Sequence, residues 1–113
     1  MRREVVLLAE MICAAERIIE LVGDRSEIDF EADRDGRDAL LWNYTVFGEA
    51  AAQLPEEFME QHEGVPWRRP SQLRNRIVHG YWSIDLSVLV RNATDQLPEF
   101  AAQLRAARAA LEQ

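Results

Sequence analysis

Between Arg2 and Leu21 apolar side chains recur at helical spacing, with Val5, Leu8, Ile12, Ala15 and Ile19 on one stripe. Leu7, Met11, Ile18 and Val22 widen that stripe until roughly half the helix circumference is apolar. A helix this wide must pack on two neighbours, or on one neighbour and a second subunit. The first twenty residues therefore demand a multi-helix core, and 113 residues are enough for one such core but not for two. A single domain over 1–113 follows, with Gly23 as the C-terminal cap of the opening helix.

The remaining segments read as helices as well. Asp24 to Gly36 is acidic and weakly patterned, and is expected to be a loop with at most one short turn. A second long helix runs from about Arg37 to Leu54, burying Leu40, Leu41, Tyr44, Phe47, Gly48 and Ala51, and Pro55 marks its end. Glu56 to Glu63 forms a short amphipathic helix anchored by Phe58 and Met59, and Gly64-Val65-Pro66-Trp67 breaks the chain. Pro70 and Ser71 open a third long helix, with Ser71 a candidate N-cap. It carries Leu73, Ile77 and Val78 inward and ends near Gly80. Asp85 caps a final helix from about Leu86 to Leu111, which Pro98 kinks or interrupts near Gln96. No stretch alternates with period two for long enough to be a strand. The expected fold is all-α, an antiparallel bundle of four to five helices.

Several chemistries lack their materials. The two histidines, His62 and His79, are 17 residues apart in sequence and far from Cys13, which is poor material for a zinc site, so no metal and no cofactor is expected. Cys13 lies among Met11, Ile12, Ala14 and Ala15 and reads as a small buried hydrophobe. One cysteine allows no intramolecular disulfide, which fits a reducing cytoplasm. Glu4, Glu10 and Glu16 interrupt the first helix too often for a signal peptide or membrane span. A soluble cytoplasmic protein is expected. No glycine-rich phosphate loop and no G-x-S-x-G elbow occurs. Trp42 is read as a packing residue, and His62 as incidental.

Charge is unevenly placed. The net value of -7 opposes nucleic-acid binding over the whole surface, because phosphate affinity comes from neutralising cations. Glu20 to Asp38 holds eight acids against three arginines, whereas Pro66 to Ile84 holds four arginines (Arg68, Arg69, Arg74 and Arg76) and no acid. Without that window the chain has 9 basic and 20 acidic residues, a balance of -11. The cationic charge is local.

Inside the window stands Arg74-Asn75-Arg76-Ile77-Val78-His79-Gly80-Tyr81-Trp82. Asn75 and His79 are four apart and share a helical face. Arg74 and His79 are five apart, about 140° around an ideal helix, so one helix does not bring them together unaided. The gap closes if the helix loosens at His79-Gly80, or if two subunits meet. A histidine suits proton transfer near neutrality, and a guanidinium suits a pentavalent phosphate. The pair describes metal-free RNA cleavage by attack of the 2′-hydroxyl. Equally, a histidine near a helix end can do no more than cap carbonyls.

The nine residues fit R-x4-H-x-Y and resemble the HepT-like branch of the HEPN superfamily, with Arg74, His79 and Tyr81 at the fixed positions. Phe47-Gly48-Glu49-Ala50-Ala51 is similar to that family's helix-two signature. Val65-Pro66-Trp67 is similar to the segment before the motif, and Ile84-Asp85-Leu86 to the start of the next helix. The resemblance implies a small all-α homodimer acting as a ribonuclease toxin of a type VII toxin–antitoxin pair on tRNA or mRNA. It implies as partner an MntA-like minimal nucleotidyltransferase antitoxin, which neutralises the toxin by attaching AMP to the motif tyrosine. By position, Arg74 and His79 would be the catalytic pair, Asn75 a supporting residue and Tyr81 the modified one. Arg68, Arg69 and Arg76 are then reasonable contacts to RNA phosphates. The competing reading is a non-catalytic module of the same superfamily that docks a nucleotidyltransferase or nucleotide, a role that would not need the imidazole.

Overall fold

A computed structural model of the chain describes residues 2–113, which form seven α-helices, one 3-10 turn and no strand. The helices are α1 (Arg3–Val22), α2 (Glu27–Ala32), α3 (Arg34–Ala52), α4 (Glu56–Gln61), α5 (Arg69–Gly80), α6 (Leu86–Asp95) and α7 (Leu97–Leu111), with the turn at Tyr81–Ser83 between α5 and α6. No helix among the described residues is long and apolar enough to cross a membrane.

The wide apolar face of α1 is the axis of the core. Leu8, Met11, Ala15 and Ile18 are completely enclosed, and α1 packs on α3, α6 and α7. Arg3 near the start of α1 donates to Gln53 at the end of α3 at 2.7 Å, so these two helices run antiparallel. Aromatic rings link the layers edge to face: Phe47 meets Phe100 at 5.5 Å, and Trp67 meets Phe58 at 5.4 Å and Phe100 at 6.2 Å between ring centroids. Trp67 is anchored further by its indole N–H, which donates to the His62 carbonyl at 3.0 Å.

The structure departs from the expected bundle in several places, each with a local cause. Asp24 to Gly36 is mostly helical. Ser26 and Asp29 form a reciprocal capping box that starts α2, and Phe30 from that helix is fully buried. The Arg25 guanidinium covers the Phe30 ring at 4.1 Å while bonding Asp33 at 2.7 Å. Asp33 then caps α3 through the Gly36 amide, so that helix begins at Arg34, three residues earlier than periodicity indicates. The interruption at Gln96 is complete and divides the last helix into α6 and α7. Ser71 is not a cap; it sits inside α5, its hydroxyl donating to the Arg68 carbonyl.

Three side chains expected inside are outside. Cys13 lies with Val6, Glu10 and Arg17 on the solvent stripe of α1. Trp42 shares an exposed side of α3 with Glu49, and Val78 faces away from the buried Leu73 and Ile77.

Candidate active site

The site is built where α5 crosses α3. Proline fits the first turn of a helix, where no backbone N–H is needed, and Pro70 occupies that place in α5. Leu73 and Ile77 then bury the inner face of α5. The crossing is close enough to require glycine at position 48. A Cβ there would lie 2.6 Å from the Pro70 carbonyl and would collide with the Arg74 side chain. Gly48 therefore fixes the depth at which α5 sits and brings the next residue, Glu49, against Arg74.

Arg74 is less exposed than His79 or Tyr81. Its Nη1 donates to Glu49 Oε1, its side chain is 23% exposed, and its Nε is sealed off without a hydrogen-bond partner among the described residues. The guanidinium is thus held in one orientation by a carboxylate that is itself half exposed. Sequence reasoning placed Glu49 in a signature segment but gave it no role, since the two residues are 25 apart in the chain.

His79 lies in the last turn of α5 and is exposed. With Arg76, Ser83 and Asp85 it lines a cavity of about 350 Å³ between the end of α5 and the start of α6. The chain leaves α5 at Gly80 with φ -150° and enters the 3-10 turn, which Ser83 ties back by donating to the Gly80 carbonyl. Tyr81 and Trp82, on that turn, are 54% and 83% exposed. They line a different cavity, of about 460 Å³, with Arg37, Leu41 and Asp85.

Arg76 and His79 line the same cavity, whereas Arg74 is bonded to Glu49 of α3. Arg74 lines neither cavity, as the helical spacing predicts for a single chain. Asn75 is exposed on the outer surface of α5. Arg68 pairs with Glu56 at 2.8 Å, which places it over α4 rather than beside the motif. Arg69 is half-buried, close enough to Tyr44 to be felt by its hydroxyl.

Two further groups set the polar background. Asp85 caps α6 by accepting from the Ser87 amide at 2.9 Å and the Ser87 hydroxyl at 2.6 Å, and these bonds hold its carboxyl below the usual range. It stays an anion beside the His79 cavity. The Tyr44 hydroxyl donates to the Leu89 carbonyl and contacts Asn92 Oδ1, and burial pushes its ionisation far upward, with the Arg69 charge opposing. Among the described residues no three His, Cys, Asp or Glu side chains cluster as a metal site.

Residues 11–107 match the family described as ribonuclease HepT-like. The chain is 28% identical to a probable ribonuclease HepT of Thermococcus cleftensis, over 80% of this chain and 83% of that one. It is 29% identical to a candidate RNase of Caldanaerobacter subterraneus over 87% and 88% of the two chains, and 27% identical to one of Methanocaldococcus jannaschii over 81% and 84%. No solved structure gives a significant match.

Proposed function

The chain belongs to the ribonuclease HepT-like family of the HEPN superfamily, and from that membership we propose that it is an endoribonuclease whose active centre is the Arg74–Tyr81 motif, completed by a second copy of the chain. The observation that carries this reading is that Arg74 and His79 engage different neighbours. One is clamped on the α3 side of α5 and the other opens on the α6 side, so a single copy presents half of a catalytic pair at each place. Two facing copies supply both halves. Large apolar side chains beside the motif support such a contact: Val78, Tyr81 and Trp82 are all more than half exposed. Trp42, also exposed, follows Leu41, which lines the Tyr81–Trp82 cavity. Exposed aromatic clusters of this kind mark association surfaces.

In the proposed reaction the RNA 2′-hydroxyl loses its proton and attacks the adjacent phosphorus. The bond to the 5′-oxygen breaks, and that oxygen takes up a proton. His79 is the proton carrier for both transfers, taking the proton from the 2′-hydroxyl and delivering one to the leaving 5′-oxygen. Arg74 stabilises the charge that builds on the equatorial phosphate oxygens, and Glu49 keeps it aimed. Asn75 supports the site. The products are a 2′,3′-cyclic phosphate and a free 5′-hydroxyl. No step requires a metal ion.

The cognate antitoxin in this reading is an MntA-like nucleotidyltransferase. The Tyr81 hydroxyl attacks the α-phosphate of ATP, pyrophosphate leaves, and AMP remains on the ring. The exposure of Tyr81 makes the hydroxyl reachable. The added phosphodiester puts a negative charge and a nucleoside where the RNA would enter.

The test is cleavage of RNA by purified protein in chelator. His79→Ala and Arg74→Ala are each expected to reduce the rate by about 10²–10⁴-fold. Equal rates in all three proteins contradict the assignment. A co-expressed nucleotidyltransferase is expected to add the mass of AMP to wild type and not to Tyr81→Phe; labelling of the variant removes Tyr81 from the account.

A further inference from the structure

α5 packs on α3 and makes no direct helix contact with α6, which rests on α1, α2 and α7. An open groove runs between α5 and α6. At one end it is the cavity holding Arg76 and His79, lined from α6 by Val88. Val88 also lines the next cavity, of about 250 Å³, whose other walls include Arg69, Arg91 and Asn92. The two cavities therefore adjoin at Val88 along the same groove. On the α5 side, Arg69, Arg76 and His79 fall at helical spacing on one stripe, spanning about 15 Å from first to last at 1.5 Å per residue.

The arginines of this groove are unlike most of the others. Seven of the thirteen pair with a carboxylate: Arg2, Arg17, Arg25, Arg68, Arg74, Arg105 and Arg108. Arg3 and Arg37 bond Gln53 and the Glu31 carbonyl. Of the remaining four, which have neither an ion pair nor a side-chain hydrogen bond among the described residues, Arg34 stands exposed at the start of α3, and Arg69, Arg76 and Arg91 all line the groove. Two acids also line the groove. Asp85 stands at the His79 end with one carboxylate oxygen committed to Ser87, and Asp95 stands at the far end. Between them the floor is Asn92, whose amide oxygen lies 2.9 Å from the Tyr44 hydroxyl and whose amide N–H donates to Gln96 at 2.8 Å, so it does not compete for the guanidinium groups.

We propose that this groove carries the strand flanking the scissile phosphate, with Arg69 and Arg91 binding phosphates of single-stranded RNA a few nucleotides from His79 and Arg76 bridging the interval. The inference rests on the ribonuclease reading. Arg91 lies outside the acid-free window of the sequence and belongs to a different helix, which is why charge counting does not find it. An anionic protein segment would meet the same arginines, but the position of this groove directly beside the His79 cavity favours the substrate. Unpaired guanidiniums on a narrow path suit a backbone of regularly spaced phosphates.

The experiment compares wild type, Arg69→Ala and Arg91→Ala on a single-stranded RNA dodecamer and on a dinucleotide too short to reach beyond Arg76. Anisotropy of the labelled dodecamer gives the dependence of log affinity on log salt. Each substitution is expected to reduce that slope by about 0.7, the loss of one phosphate contact to a single strand. Cleavage of the dodecamer slows, and cleavage of the dinucleotide is unchanged. An unaltered slope overturns the groove, and so does an equal loss on both RNAs. If wild type binds the dodecamer but cuts neither RNA, the ribonuclease reading fails while the slope still decides the groove.

Discussion

On the side of α5 that meets α3, Gly48 admits the helix to within contact of Pro70 and Arg74, and the guanidinium there is bonded to Glu49 and largely shielded. On the side that faces α6, Arg69 and Arg76 stand along an open groove with His79, and no carboxylate pairs with them among the described residues. Both sides come from one twelve-residue helix with the same residue types. The difference lies in the neighbour. Close packing with an acidic partner makes an arginine a fixed instrument, whereas an open groove leaves it free to neutralise a ligand. Substitutions on the packed side should therefore act on stability and on the rate constant, and substitutions of the open-side arginines on RNA affinity and its salt dependence.

The largest effect on the packed side is expected from Gly48→Ala. The added methyl must displace the Pro70 carbonyl or the Arg74 side chain, and overpacking of this kind costs about 1–3 kcal/mol. Thermal unfolding should register a fall of roughly 4–8 °C for each kcal/mol lost in a domain of this size. An unchanged midpoint would show that the two helices separate without cost and would remove the close approach from the account. Arg76→Ala, on the open side, is expected to leave the midpoint where it was.

A smaller and more selective change is expected for Glu49→Gln. The pair is half exposed, so its loss should alter stability by less than about 1 kcal/mol. The turnover rate should drop by roughly tenfold as the guanidinium loses its orientation, the equivalent of about 1.4 kcal/mol. KM should not rise, because an acid beside the RNA has been removed. A rise in KM at constant kcat would instead make Glu49 part of the binding surface.

The least effect belongs to Asp85. Its carboxyl titrates below the ordinary value of 3.8 in the folded chain because Ser87 donates to the ionised form. A depressed acid contributes its stability above the unfolded pKa and loses it as pH falls through the folded pKa. The advantage of wild type over Asp85→Asn in thermal unfolding should thus be full at neutral pH and shrink only below about pH 3.8. A constant difference across that range would mean that the cap does not depend on charge.

The sequence carries the bundle because its strongest signals are local. The stripe on α1, the stop at Pro55 and the break at Gln96 all appear where periodicity, proline chemistry and capping put them. Ser26-x-x-Asp29 is a legible capping box, but it stands within a run of acids that hides the short apolar face beneath it. Val78 and Trp42 are apolar at helical positions, and periodicity alone does not say which faces find a neighbour. Charge counting locates the motif window without any family in view. What it does not give is the sorting of that window into two sides, since this depends on Glu49 and Arg91 from distant helices.

The central claim is that Arg74 and His79 act together only across two copies. Arg74→Ala and His79→Ala, each inactive alone, can be co-expressed with different tags and the mixed pairs purified alongside the unsorted population. If the pair forms across the contact, each mixed pair retains one complete centre, and the unsorted population should recover on the order of a quarter of wild-type RNA cleavage by random pairing. Cleavage that stays at the level of the separate variants, with mixed pairs present, would contradict it.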